Sequence, residues 1–118
     1  MKLKVISTSW KFITILKHIL GETMKLAVDA VFYVREGFDF EKAFKEVLKI
    51  LGEDVRILSV EYPELALISE NGYYYRCGFM LDKPLKEELN REEINEIKEK
   101  IKKLFEDEII YTLTCEIL

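Results

Sequence analysis

A chain of 118 residues, 49% of them hydrophobic and 34% charged, fits one compact domain with enough apolar side chains for a single core. Its net charge of −4 at pH 7 is unevenly spread, +3 over residues 1–23 and −7 over the remainder. That acidic body disfavours nucleic acid as a partner, because a polyanion-binding domain normally presents a basic face.

No apolar run approaches membrane-spanning length, so a membrane partner is disfavoured as well. The two cysteines, Cys77 and Cys115, make neither a CxxC pair nor a secreted disulfide framework, and the expected compartment is a reducing cytoplasm. Glu and Lys dominate the charged residues, Gln is absent, and Asn occurs only at Asn71, Asn90 and Asn95. This composition leans thermophilic, although Glu and Lys are also good helix formers.

Residues 1–23 read as an extension ahead of a domain at residues 24–118. Within the extension, residues 3–6 suit a short strand. Residues 10–20 read as an amphipathic helix with Phe12, Ile13, Leu16, Ile19 and Leu20 on one side, Ser7, Thr8 and Ser9 available as caps, and Gly21 as a stop. Lys11 and Lys17 interrupt the apolar stretch and no small-residue cleavage site follows, which argues against a secretory signal. The helix is expected to pack on the domain or to reach a partner, and two lysines make a thin polar face for a membrane surface. Met24 opens a clean strand and is a candidate alternative start.

From Lys25 the chain alternates: Leu26, Val28, Ala30, Phe32 and Val34 share one face, while Lys25, Asp29, Tyr33 and Arg35 lie on the other. That is a half-buried strand. Gly37 ends it and Asp39 offers an N-cap. Phe40, Ala43, Phe44, Val47, Leu48 and Leu51 then recur at helical spacing until Gly52. Glu41 and Lys45, four apart, mark the solvated side.

Residues 55–69 read as a strand interrupted by Tyr62-Pro63-Glu64. Proline removes a ladder donor, so this strand is expected at an edge, with a bulge or bend. Asn71-Gly72 predicts a type I′ hairpin turn. The strand that follows sends Tyr73, Tyr75, Cys77, Phe79 and Leu81 to the core and Tyr74, Arg76, Gly78 and Met80 to the other face.

A second helix begins at Asn90, with Glu93 completing a capping box and Leu89 placed to staple against Ile94. Ile94, Ile97, Ile101, Leu104 and Phe105 form its apolar stripe, and Glu96/Lys100 and Glu99/Lys103 decorate the outside. In the last strand Ile109, Tyr111, Leu113, Cys115 and Ile117 are expected inward, with Ile110, Thr112, Thr114 and Glu116 outward.

The order is βαββαβ. Two helices with one apolar stripe each and a sheet with one apolar face satisfy each other as an α+β, ferredoxin-like two-layer sandwich with an antiparallel sheet in the order 4-1-3-2. Cys77 and Cys115 then flank the first strand, about 10 Å apart at ordinary strand spacing, which excludes a disulfide between them. Both are expected as small core thiols.

This arrangement leaves one sheet face open. It is expected to display Asp29, Val31, Tyr33, Tyr74, Arg76, Met80 and Ile110, with Asp29 and Arg76 placed to pair across neighbouring strands. Val31, Tyr33, Met80 and Ile110 would form an apolar patch that calls for a cover, either Phe12, Leu16 and Leu20 from the extension or a second copy.

Catalytic signals are lacking. His18, the one histidine, lies in the extension, and the five glycines match neither a phosphate-binding loop nor a dinucleotide fingerprint. Glu92, Glu93, Glu96 and Glu99 are accounted for by the helix start and solvation. No catalytic residue, cofactor or metal is expected. Tyr74 and Arg76 with Tyr33 outline a platform for stacking bases, without an RNP1-like match. The expected function is a non-enzymatic cytoplasmic interaction domain, a homo-oligomer or a binder of a protein partner, that uses the open sheet face or the amino-terminal helix. A small-ligand-binding regulatory domain and an RNA or single-strand-binding module are the alternatives.

Overall fold

The computed structural model describes residues 24–118. The extension's strand and helix, with Phe12, Leu16 and Leu20, lie outside the described residues. Six elements follow in order: β1 (Met24–Arg35), α1 (Phe40–Leu51), β2 (Arg56–Ser69), β3 (Gly72–Leu85), α2 (Arg91–Leu104) and β4 (Ile109–Ile117). All neighbouring strands are antiparallel, in the order β2-β3-β1-β4. The fold is therefore the βαββαβ, ferredoxin-like two-layer sandwich.

Alternation in β1 buries Leu26, Val28, Ala30, Phe32 and Val34 beneath the helices. From α1 come Phe40, Ala43, Phe44, Val47 and Leu51, from β3 Cys77, Phe79 and Leu81, and from β4 Leu113. Ile101 of α2 and Phe105 just beyond it complete the cluster. Phe32 is its centre, with its ring stacked on Phe105 at 3.7 Å between centroids and tilted against Phe79 at 5.8 Å. Burying such rings supplies most of the driving force for closing the two layers.

Each helix is stopped by its own chemistry. The Asp39 carboxylate accepts the Lys42 N–H at 3.1 Å, and the Gly52 N–H donates to the Leu48 carbonyl with φ at +83°. The Lys83 ammonium donates to the Leu51 carbonyl and so binds the end of α1 to β3. At α2 the capping box is complete: Asn90 accepts the Glu93 N–H at 2.8 Å, and Glu93 accepts the Asn90 N–H at 3.3 Å. Glu41–Lys45 and Glu96–Lys100 pair on the exposed faces, whereas Glu99 meets Lys102 rather than Lys103.

Gly78 is dictated by packing. It lies opposite Val31, and a Cβ there would overlap the Ala30 carbonyl oxygen, so no larger residue allows β1 and β3 their observed approach.

The sheet departs from simple alternation in four places. β2 is an edge strand whose register against β3 shifts between Ile57 and Ser59, Glu61 and Glu64, and Leu65 and Leu67; Pro63 falls in the second shift. The fourth irregularity is in β4, where Thr112 faces Val31 but Ile110 faces Phe32, leaving Tyr111 as an extra residue. This bulge reverses the facing of everything before it. Ile110 packs against the core instead of lying on the open face, while Ile109 and Tyr111, expected inside, are 48% and 67% exposed.

Two further corrections concern the hairpin. Glu70 and Asn71 both keep negative φ, and Gly72 alone is positive at +124°, so the turn is not type I′. Ser69 holds it instead, its hydroxyl accepting the Asn71 N–H and donating to the Gly72 carbonyl, each at 3.2 Å. Tyr73 is 50% exposed: only Tyr75, nearer the helices, packs against the core.

Candidate interaction surface

Strand register decides which outward residues meet. On β1 and β3, Asp29 faces Met80, Val31 faces Gly78, Tyr33 faces Arg76 and Arg35 faces Tyr74. Thus Asp29, Val31, Tyr33, Tyr74, Arg76 and Met80 share the face opposite the helices. Ile110 does not belong with them. Its place is taken by Tyr111, whose ring meets Tyr33 edge to face at 5.9 Å and 87°. The apolar doublet Ile109-Ile110 ahead of Tyr111 is the only hint of this in the sequence, since it makes the alternation ambiguous.

The expected Asp29–Arg76 pair is absent. Arg76 stands opposite Tyr33, four residues along β1 from Asp29 and hence about 13 Å away. It approaches Glu61 on β2 at 3.8 Å, with both side chains more than half exposed, a contact of little energetic weight.

The strong ion pair lies elsewhere. Arg56 grips Asp82 with two hydrogen bonds, Nε to Oδ1 at 2.6 Å and Nη2 to Oδ2 at 2.8 Å. Asp82 is the one buried charged residue among the described residues, and the fork from Arg56 satisfies it while clamping the start of β2 to β3. Sequence reasoning missed this pair because two register shifts intervene between it and the middle of the hairpin.

Beside the Pro63 bulge, residues 60–66 and Arg76 line an open cleft of about 720 Å³. Its charged groups are Glu61, Glu64 and Arg76, a mixed set in which Glu61 already engages the guanidinium. The more extensive feature is apolar. Ile57, Leu58, Leu65, Leu67 and Ile68 on β2 are each at least 50% exposed, which the sequence reading, drawn to the opposite face, did not identify.

The thiols are chemically quiet. Burial pushes Cys77 up to about 12, with the Glu108 and Glu61 carboxylates adding to the effect. Cys115 is also raised by burial, opposed by Lys98. A thiol held neutral is a poor nucleophile, and both cysteines are free. Among the described residues no three His, Cys, Asp or Glu side chains converge to hold a metal, and no helix is long and apolar enough to cross a membrane.

These features define a small ferredoxin-like α+β domain in which none of the described elements covers the second face of the sheet. Over 98 residues the chain is 93% identical to "Uncharacterized protein MJ0639" of the thermophilic archaeon Methanocaldococcus jannaschii, a match that covers 83% of this chain and 90% of that protein. It belongs to the same family as that protein. The thermophilic lean of the composition agrees with this relative. No protein-family model and no solved structure matches the chain.

Proposed function

We propose that the protein acts by association rather than catalysis, as an interaction domain that binds a second copy of itself through its open sheet. The supporting observation is where the exposed apolar side chains lie. Eleven large hydrophobic residues among the described residues are 46–67% exposed, and every one is on a strand or immediately after β4. The helices contribute none. By register Leu67, Met80 and Ile109 lie on the open face beside Tyr111, and covering them releases about 25 cal/mol for each Å² of apolar surface removed from water.

In this reading Asp29, Val31, Tyr33, Tyr74, Arg76 and Met80 are contact residues, joined by Tyr111. Native mass spectrometry of the gently purified full-length protein tests the proposal. A clean multiple of the chain mass is expected. A bare monomer at micromolar concentration overturns self-association, and extra mass shed on denaturation would replace it with the small-ligand reading.

A further inference from the structure

The two edges of the sheet are not equivalent. β2 carries Pro63, which has no N–H to offer, and three register shifts, all of them devices that spoil an edge for pairing with another strand. β4 has no such protection over residues 112–117. It pairs with β1 in unbroken register from Val31↔Thr112 to Leu26↔Ile117, contains no proline or lysine, and bears a single charge at Glu116.

The direction of its backbone groups follows from one observation. Lys25 and Leu118 exchange both main-chain hydrogen bonds, at 3.1 and 2.8 Å. In an antiparallel ladder such pairs recur at every second residue, so Glu116, Thr114 and Thr112 also turn their N–H and C=O groups toward β1. Leu113, Cys115 and Ile117 turn theirs away from the sheet, to an edge that no described strand occupies.

We infer that β4 is a seam of self-association distinct from the open face: a second copy sets its own β4 antiparallel against it, about a two-fold axis at Cys115, and two four-stranded sheets become one of eight strands. This inference rests on the reading that the protein binds its own copy and goes beyond it, placing a contact at the sheet edge and away from the face formed by β1 and β3. The bulge fixes the register. Tyr111 interrupts the strand, so the regular stretch is 112–118, and its midpoint is Cys115. Cys115 then faces its counterpart and Leu113 faces Ile117 of the other copy, giving each outward-turned residue a main-chain partner. On the outer face Thr114 stands opposite Glu116 of the other copy, in the closer, non-hydrogen-bonded type of pair. No like charges oppose one another.

Two substitutions at the exposed Thr114 provide the test. Thr114→Glu sets a carboxylate against Glu116 on both sides of the axis, and Thr114→Lys sets an ammonium there. With circular dichroism unchanged in both, Thr114→Glu is expected to weaken dimerisation about tenfold relative to Thr114→Lys, which keeps or tightens the dimer. A wild-type monomer overturns the inference together with the reading it rests on. A dimer indifferent to both substitutions overturns the seam alone, and equal weakening by both overturns the register.

Discussion

Cys77 is fully buried on β3, opposite Phe32, where its thiol is kept neutral far above the ordinary thiol range. The unfolded chain releases that proton near pH 8.5, whereas the folded chain holds it to about 12. Stability from this group is therefore complete below about pH 8.5 and declines as pH rises toward the folded value, by at most about 1.4 kcal/mol per pH unit. Denaturant midpoints of wild type and Cys77→Ala, followed from pH 7 to 10.5, check this. The wild type should fall more steeply above pH 9, and parallel curves would show that the proton is not held. Asp82, also buried, is held instead by Arg56, which supplies two donors in a fixed fork.

Each helix begins where a side chain satisfies a backbone group that the helix itself leaves unpaired, and the Lys83 ammonium does the same at the end of α1. Asn90→Ala removes the acceptor for the Glu93 N–H and should lower stability by about 1 kcal/mol, read as a shift in urea midpoint with an unchanged slope. An unaltered midpoint would mean that Leu89 and Ile97, packed on the core, hold the first turns without the cap. The same local completeness made the fold legible from the sequence: N-caps and apolar stripes define both helices, and Gly52 ends α1, without reference to anything distant. The strands were legible only where alternation was unambiguous. β1 was, but residues 109–111 are Ile-Ile-Tyr, apolar in either phase, so nothing local shows which residue is the extra one, and a one-residue slip exchanges the faces. β2 posed the same difficulty with three register shifts in one strand, and its exposed apolar residues went unrecognised with them. Tyr73 failed for another reason, since alternation gives a direction without saying whether a helix is there to cover it.

At the scale of the whole molecule the asymmetry is between a sheet of four long strands and two helices that cover one of its faces. Among the described residues nothing lies over the opposite face or beyond either edge, and the proposed reading makes that incompleteness the working part of the protein. The hydrogen-bonded pair Lys25–Leu118 has a further consequence, a mechanical one. It closes the end of the β1–β4 ladder, so a force pulling those two residues apart loads the ladder one pair at a time, as a zipper opens. Force applied between Arg35 and Leu118 instead slides the strands along each other and loads all the pairs together. Single-molecule pulling through the first attachment should unfold the domain at a distinctly lower force than through the second. The resistance of this fold to being torn thus depends on where it is held.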